Sequence, residues 1–254
     1  MNEQSEKNKI AWEYRAYEFW NIRDGAPKEK AEKILKNPKE WLKIHKKYFE
    51  NVNELKIANP CGSNGRKAVP LALMGAEVTV FDISEENKKY AMELAKSAGT
   101  TIDYVVGDFY DINLVKYENY FDILYLEGGI LHYFNDIKRF TSILYAITKP
   151  KGRIILSDFH PIRKIVAIGR SGKNANATEG NYFDSNLYNG DLAYKDNFNQ
   201  EEQKDFPDCS LRFYTLSEII NSVIQAGFTI KEFNEHPNWD DKNIPGEFTI
   251  FAVK

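Results

Sequence analysis

Three carboxylates in the chain each follow a short apolar segment, at the point where that segment ends. They are Asp82, Asp108 and Glu127. A carboxylate in such a place can accept hydrogen bonds from hydroxyl or amino groups of a ligand, and charge-assisted bonds of this kind contribute about 1.5–3 kcal/mol each. These residues therefore indicate a binding site for a polar small molecule, with a turn or a solvated carboxylate as the structural alternative.

A second group of side chains, which can exchange protons, follows two later apolar segments. His132 and Tyr133 stand shortly after the apolar segment 121–126, and Asp158 and His160 follow the apolar segment 153–157. An unperturbed imidazole has a pKa of about 6.5, which suits proton removal near neutral pH. We predict His160, Tyr133 and His132 as catalytic residues, with His160 as the general base if one is used. A packing or surface role for each histidine stays open.

The segment over residues 55–66 predicts a buried strand, a tight turn and the start of a helix. Such a turn lets a ligand approach the backbone at the N-terminus of the helix. A dinucleotide requires the spacing Gly-x-Gly-x-x-Gly, because its pyrophosphate must lie against the helix amides. The turn here is Asn-Pro-Cys-Gly-Ser-Asn-Gly over residues 59–65, without that spacing. It favours an adenosine-containing cofactor that carries no phosphate.

Short apolar strands alternate with helices from residue 54 onward, which predicts a parallel, doubly wound sheet. The predicted strands are 55–59, 77–81, 102–106, 121–126, 153–157, 229–233 and 248–253. The predicted helices are 66–74, 85–97 with Ser84 as its N-cap, 136–148 and 215–226. We expect an α/β, Rossmann-like, seven-stranded sheet, mostly parallel, in which the last strand is antiparallel and follows a loop over 234–247.

Two further regions flank the predicted sheet. Residues 1–52 predict N-terminal helices whose Tyr14, Tyr17 and Trp20 share one face, and we expect them to close as a lid over the cofactor, with core packing as the alternative. Residues 163–210 combine Asn, Asp and Gly with aromatic residues, which predicts a cap insertion over the carboxyl edge of the sheet. The cofactor-binding domain then comprises residues 53–162 and 211–254.

The charge, the cysteine spacing and the apolar content of the chain limit which kinds of partner it can bind. Lys and Arg total 34 against 37 for Asp and Glu, a formal net charge of −3, so no overall basic field attracts nucleic acid. The lysines over 28–47 are interrupted by glutamates, which favours a solvated helix face over an RNA contact. Cys61 and Cys209 lack the spacing of metal ligands, and they favour a reducing compartment. Without an apolar run of about 18 residues, we expect a cytoplasmic monomer or homodimer with no metal and no membrane partner.

Motifs at residues 57–65, 80–82, 106–109, 120–133 and 149–156 follow one another in register. Together they resemble the motifs of the class I S-adenosylmethionine-dependent methyltransferases, over roughly residues 50–160 and again over 211–254. The resemblance implies S-adenosyl-L-methionine as cofactor. It also implies in-line transfer of an activated methyl group to an acceptor, which the acidic balance and the cap suggest is a small molecule.

The resemblance also implies which residues contact the cofactor. Asp82 would accept from ribose hydroxyls, Asp108 would accept from the adenine amino group, and Phe109 would stack on the adenine ring. The full predicted set is Asn59, Gly62, Ser63, Asn64, Asp82, Ile83, Gly107, Asp108, Phe109, Glu127, Gly128, Tyr14 and Tyr17.

The first motif departs from the family pattern of acid-x-Gly-x-Gly-x-Gly. Asn59 stands in place of the acid, and Cys61 and Ser63 stand in place of two glycines, while Gly62 and Gly65 remain to form the turn. The acid commonly helps to hold the methionine end of the cofactor, so Asn59 is expected to make a weaker or water-mediated contact.

Two alternatives to a methyltransferase remain open from the sequence. The altered first motif is compatible with a protein that binds the cofactor but has lost transfer activity. The pair Tyr145 and Lys149 matches the Tyr-x-x-x-Lys spacing of nicotinamide-dependent short-chain dehydrogenases. However, this pair stands at a predicted helix C-terminus, where packing and the helix dipole explain both residues.

Overall fold

A seven-stranded sheet forms the centre of the structure. The computed structural model describes residues 1–165 and 180–254. The strands are β1 (Lys56–Pro60), β2 (Glu77–Asp82), β3 (Asp103–Val106), β4 (Phe121–Glu127), β5 (Thr148–Phe159), β6 (Leu187–Gly190), β7 (Cys209–Arg212), β8 (Thr229–Pro237) and β9 (Pro245–Val253). The order across the large sheet is β3-β2-β1-β4-β5-β9-β8, and β6 pairs with β7 in a separate sheet.

Helices cover the sheet and form most of the N-terminal region. They are α1 (Glu3–Glu13), α2 (Ala16–Asp24), α3 (Pro27–Lys36), α4 (Ala68–Leu73), α5 (Glu85–Ser97), α6 (Leu114–Tyr117), α7 (Ile137–Ile147) and α8 (Leu216–Ala226). Short 3₁₀ segments lie at Pro38–Tyr48, Phe109–Asp111, Leu131–Tyr133, Pro161–Lys164, Lys195–Asn197 and Glu202–Asp205. Ser84 caps α5 as predicted, since its side chain accepts from the amide of Asn87. Within the described residues, no helix is long and apolar enough to cross a membrane.

The connectivity confirms the predicted fold class. Strand β1 pairs in parallel with both β2 and β4, while β9 is antiparallel to β5 and to β8. Strand β1 is almost wholly buried, as expected for a parallel strand with helices on both faces. Because the chain leaves β1 toward β2 on one side and β4 lies on the other, the carboxyl ends of β1 and β4 border the crevice where such sheets bind ligands.

Two predicted boundaries differ from the structure. Strand β5 begins at Thr148 instead of Arg153, because the chain pairs with β4 directly after α7 and absorbs the extra residues in a bulge opposite Phe121 and Ile123. The loop predicted over 234–247 is shorter, since β8 continues to Pro237 and β9 starts at Pro245. Both differences lengthen strand pairing, parallel for β5 with β4 and antiparallel for β8 with β9, that local sequence patterns do not reveal.

The N-terminal helices contact the segment that precedes β7. The ring of Tyr194 stacks on Phe19 at 4.4 Å, and its hydroxyl donates to the carbonyl of Tyr14 at 2.6 Å. The side chain of Asn8 both donates to and accepts from the backbone of Ser210. The division into a lid over 1–52 and a cap over 163–210 stays a prediction, and residues 166–179 of that cap lie outside the described residues.

A buried hydrogen-bonded chain ties the N-terminal region to the sheet. Thr249 Oγ1 donates to Ser157 Oγ at 3.2 Å, so the Nε2 atoms of His45 and His236, at 3.1 and 2.8 Å from Thr249 Oγ1, must donate to it. His45 Nδ1 then accepts from the hydroxyl of Tyr125 at 2.9 Å. This arrangement needs a neutral His45, and burial lowers the pKa of His45 to about 4.

This network predicts a pH dependence of the free energy of unfolding. The folded-state pKa of His45, about 4, lies below its ordinary value of 6.5. Its contribution to stability is therefore complete above pH 6.5 and is lost as the pH falls toward 4, by about 3 kcal/mol at most. We expect urea unfolding at pH 7.5 and 5 to show a smaller pH-dependent loss for His45→Gln than for the wild type.

The control is His236→Gln, which removes a histidine of the same network that is only partly buried. That variant should keep most of the wild-type pH dependence. If His45→Gln loses stability with falling pH as steeply as the wild type, the network does not hold His45 neutral.

Candidate active site

The turn after β1 keeps the shape of a glycine-rich loop without all of its glycines. Cys61 and Ser63 have φ angles of 53° and 50°, in the left-handed region that glycine favours, and Gly65 has a φ of 75°. Non-glycine residues reach this region at a cost of about 1–2 kcal/mol each. The sequence change at these two positions is therefore accommodated by backbone strain, and the turn geometry is maintained.

Gly62 and Asn59 fix the tightest point of this turn. A Cβ at Gly62 would lie 2.4 Å from Asn59 Oδ1 and 2.8 Å from the Asn59 carbonyl oxygen, so only glycine fits there. The Asn59 amide donates to the carbonyl of Tyr125 at 2.7 Å, which anchors the end of β1 to β4. Its Oδ1 is left pointing at the turn. Asn64 donates outward to Asp24, at the end of α2, at 3.1 Å.

Asp82, at the end of β2, holds the turn in place. One carboxylate oxygen accepts from the amide of Ser63 at 3.0 Å, and the other accepts from the amide of Ser84 and the side chain of Asn87. Burial raises the pKa of Asp82, and these hydrogen bonds act in the opposite direction. Asn87 in turn accepts from the indole of Trp20 at 2.7 Å, so the N-terminal helices reach the site through Trp20.

Three buried acceptor atoms at this edge lack a hydrogen-bond partner. Asn59 Oδ1, Ser63 Oγ and Asp108 Oδ2 are among six such side-chain atoms in the described residues. Buried polar atoms are normally satisfied, so unsatisfied ones mark a place where a partner binds. These three lie at the carboxyl ends of β1 and β3, on either side of Asp82. They fit a ligand that brings hydroxyl and amino donors.

Gly107 and Phe109 are the predicted cofactor residues on either side of Asp108 in the sequence, and the structure places them differently. Gly107 stands in the extended turn before Asp108, with a φ of 158°. The ring of Phe109 is only 4% exposed and packs against Phe81 and Phe140. The structure therefore places Phe109 in the core and does not bring it to the cofactor residues, because the 3₁₀ turn at Phe109–Asp111 directs it under the sheet. Ile83 remains half-buried beside Asp82.

Glu127, at the tip of β4, is paired with two cations that the sequence did not single out. Its carboxylate lies 3.3 Å from Arg66 Nη2 and 3.5 Å from Lys67 Nζ. Burial favours a higher pKa for Glu127, but these two charges outweigh it and lower the pKa. Burial lowers the pKa of Lys67 to about 8, and Lys67 Nζ also donates to the carbonyl of Trp41. Gly128 follows with a φ of 100°, close to Arg66.

The two predicted lid tyrosines point away from these residues. The hydroxyl of Tyr17 donates to Glu93 of α5 at 2.6 Å. The ring of Tyr14 meets the edge of Phe206 at 4.9 Å. The structure shows both in contacts with α5 and with the segment before β7, and their contact with the cofactor stays a prediction.

Asp158 shapes the loop that carries His132 and Tyr133. Its carboxylate accepts from the amides of Ile130 and Leu131 at 2.9 and 2.7 Å, and from its neighbour Phe159 at 2.6 Å. Burial raises the pKa of Asp158 to about 6, against the opposing effect of these amides. The loop after β4 is thus fixed by a carboxylate from β5.

His132 and His160 differ in what their ring nitrogens contact. His160 Nδ1 accepts from the amide of Ile162 at 3.2 Å, and Nε2 lies 3.0 Å from a Glu235 oxygen. Because Nδ1 accepts, the proton of the neutral ring lies on Nε2 and faces Glu235, and burial lowers the pKa of His160. His132 is stacked near Phe159 and Phe213, and burial lowers its pKa to about 4, so it is neutral at pH 7. A neutral imidazole can accept a proton, and the burial that lowers the pKa of His132 also makes it a weaker base than an unperturbed histidine.

A cavity of about 510 Å³ lies at the carboxyl ends of β4 and β5. Its described lining residues are Leu131, His132, Asp158, Phe159, His160, Pro161, Arg163, Gly180, Asn181, Tyr188, Leu211, Phe213, Tyr214 and Ile219. The acceptor-binding residues predicted from the sequence, apart from Tyr133, therefore meet in one cavity. It lies at the same carboxyl edge of the sheet as Asn59 and Asp108, which follow or end the strands β1 and β3. Among the described residues, no group of three or more His, Cys, Asp or Glu could hold a metal ion.

The pair expected for a short-chain dehydrogenase does not reach this edge. Lys149 Nζ lies 2.8 Å from Asp122, at the amino end of β4. The ring of Tyr145 packs against Phe228. The two residues therefore lie at the opposite end of the sheet, and the structure gives the dehydrogenase alternative no support.

Comparisons with known proteins agree with the geometry. Residues 60–156 match the family model described as a methyltransferase domain. The ubiquinone biosynthesis O-methyltransferase of Rickettsia felis is 25% identical over 122 residues, which is 48% of either chain. That of Rickettsia akari is 28% identical over 127 residues, 50% of this chain and 49% of the relative. The chain spans about half the length of these curated relatives.

Solved structures show the same fold. An S-adenosylmethionine-dependent methyltransferase from Mesorhizobium loti has a TM-score of 0.62 at 21% identity, covering 87% of this chain and 100% of that one. Magnesium protoporphyrin IX methyltransferase from Synechocystis PCC 6803 with bound S-adenosylhomocysteine has a TM-score of 0.61 at 15% identity, covering 99% and 100%. The chain therefore contains a methyltransferase domain over residues 60–156, and its strand order and solved neighbours show the fold of the S-adenosylmethionine-dependent methyltransferases.

The strained turn predicts a stabilising substitution. Ser63→Gly removes the cost of a left-handed serine, offset in part by the greater flexibility of glycine in the unfolded chain. We expect a gain of about 1 kcal/mol in the free energy of unfolding, measured by urea denaturation without cofactor. Ser63→Ala, which deletes the hydroxyl but keeps the strain, is the control. An equal gain in both variants would show that the hydroxyl and not the backbone sets the effect.

Proposed function

We propose that this protein transfers the methyl group of S-adenosylmethionine to a small molecule bound in the cavity at the ends of β4 and β5. The observation that carries the proposal is the set of three unpartnered acceptor atoms around Asp82, at the same carboxyl edge of the sheet as that cavity. The two halves of the carboxyl edge then have different roles. The ends of β1, β2 and β3 hold the cofactor, and the ends of β4 and β5 hold the acceptor.

The residues that are present fit the cofactor. Asp82 and Asp108 are acceptors suited to ribose hydroxyls and to the adenine amino group, and Asp108 Oδ2 has no other partner. Asn59 and Ser63 present further unpartnered oxygens at the turn, toward the methionine end. The cofactor, when bound, supplies a methyl group on a positively charged sulfur. Asn59 keeps the acceptor of the usual acid while lacking its charge, which allows contact without a strong ionic bond.

The chain's own contribution to transfer is mainly alignment. Reactants held in a productive orientation gain effective molarities of about 10⁵–10⁸ M, so positioning supplies much of the acceleration. The carboxylate of Asp158 fixes the loop that carries His132, and Phe159 and Phe213 restrain the imidazole ring. We propose His132 as the group that accepts a proton from the acceptor. His160, whose nitrogens contact Ile162 and Glu235, then orders the wall of the cavity.

One observation favours a small acceptor, and another favours oxygen as its reacting atom. The cavity has the size of typical small-molecule sites. The matched curated relatives are named O-methyltransferases, although the chain covers about half of their length. We therefore propose hydroxyl oxygen as the atom that receives the methyl group.

Cofactor binding is tested by calorimetric titration with S-adenosylhomocysteine. Asp108→Ala should weaken binding by roughly tenfold or more, since it removes a buried charge-assisted hydrogen bond. Asp111→Ala is the matched control, because Asp111 lies on the same 3₁₀ turn but is exposed. Its affinity should equal that of the wild type. Absence of binding by the wild type, or equal affinity in both variants, would refute the assignment.

The role of His132 is tested with the best acceptor found in a screen of small hydroxyl, amine and thiol compounds. His132→Gln should lower the rate of S-adenosylhomocysteine formation by roughly 100-fold, as expected for the loss of a general base, with unchanged cofactor affinity. His160→Gln should lower it less. The opposite order would assign the proton acceptor to His160, and no turnover with any compound would favour a binding protein without transfer activity.

A further inference from the structure

We propose that the acceptor is a flat aromatic compound whose hydroxyl group receives the methyl group. This inference rests on the proposed function and adds the chemical class of the acceptor. It follows from three features of the cavity at the ends of β4 and β5, namely its aromatic walls, the orientation of its rings and the state of its charged groups.

Aromatic side chains form much of the cavity wall. Phe159, Tyr188, Phe213 and Tyr214 line it together with the imidazole of His132, and aliphatic residues complete the surface. Aromatic faces bind a flat ring through offset stacking and edge contacts, which contribute about 0.5–1.5 kcal/mol beyond simple burial. A saturated compound of the same size gains burial alone.

The rings that surround His132 are nearly parallel. Its plane lies within 10° of Phe159, at a centroid distance of 6.2 Å, and within 26° of Phe213, at 6.3 Å. The guanidinium of Arg163 lies over the outer ring, 4.3 Å from the centroid of Phe159. Three rings of similar orientation on one cavity wall favour a planar acceptor that lies parallel to them in this slot-like arrangement. A planar acceptor would enter this slot with its edge toward the His132 nitrogens.

The charged groups disfavour an ammonium acceptor. Asp158 is the one carboxylate among the described residues that line the cavity, and both of its oxygens accept from the backbone. The one carboxylate of this described wall is therefore already surrounded by backbone donors, and the guanidinium of Arg163 lies on the same wall. A buried cation without a counter-charge is costly, so a neutral or anionic acceptor is favoured.

The proton chemistry selects an aromatic hydroxyl over an aliphatic one. A phenolic hydroxyl ionises near pH 10, as in tyrosine, whereas an aliphatic alcohol ionises far above this. A single neutral imidazole can therefore assist a phenol. The phenolic oxygen forms its bond to the methyl carbon while the sulfur–carbon bond breaks. The hydroxyl proton passes to His132, and the methyl ether and S-adenosylhomocysteine are the products.

The experiment compares three probes of similar shape on the wild-type protein saturated with S-adenosylhomocysteine. 2-Naphthol is the aromatic hydroxyl, decahydro-2-naphthol is its saturated counterpart, and 2-(aminomethyl)naphthalene carries an ammonium group. Calorimetric titration should give 2-naphthol an affinity roughly tenfold or more above each of the others. With S-adenosylmethionine, 2-naphthol alone should yield a methyl ether. Equal or tighter binding of the saturated alcohol or of the ammonium compound would overturn the inference, as would no binding of 2-naphthol.

A pair of variants tests the location of the site. Phe213→Leu removes an aromatic wall and should weaken 2-naphthol binding at least about threefold. Phe251→Leu is the matched control, because Phe251 stacks on Tyr48 and is not part of the described cavity wall. Equal effects of the two variants would contradict the assigned cavity. Titration with S-adenosylhomocysteine alone distinguishes the proposed function from the inference about the acceptor. If S-adenosylhomocysteine does not bind, the proposed function is refuted. If it binds but the protein shows no preference for the aromatic probe, only this inference is refuted.

Discussion

The carboxylate of Asp82 is the interaction on which the cofactor side of the site depends. It binds the amides of Ser63 and Ser84 and the side chain of Asn87, which joins the turn after β1 to the start of α5. Through Asn87 it also connects to Trp20 of the N-terminal helices. A buried carboxylate is costly unless several donors surround it, and here the donors are the loops that must be positioned. The strained turn can therefore keep its geometry without the usual glycines.

The acceptor side is organised by the same physical device. Asp158 uses its carboxylate to hold the amides of Ile130 and Leu131, and thereby the loop that ends in His132 and Tyr133. In both halves a carboxylate at the end of one strand orders the loop after its neighbour. The split of the sheet between β1 and β4 places the two ordered loops on facing sides of one crevice. A donor and an acceptor can then be aligned by rigid elements.

The sequence predicts the sheet, and the place of Asp82 and Asp108 at its edge, because both depend on local patterns. Asp82 and Asp108 could be identified since a polar residue directly after a buried strand must lie at the sheet edge. Side-chain directions were less predictable. Phe109 lies in the core because of the 3₁₀ turn that follows Asp108, and Tyr17 faces Glu93, which is 76 residues away. Such contacts depend on packing between distant segments, which no local pattern encodes.

A crystal structure of the protein with S-adenosylhomocysteine would test the central claim most directly, since the claim assigns the two halves of one sheet edge to two ligands. We predict the ribose hydroxyls at Asp82, the adenine amino group within hydrogen-bonding distance of Asp108 Oδ2, and the sulfur directed toward the cavity that contains His132. Binding of the ligand at another surface, or with its sulfur turned away from that cavity, would contradict the account.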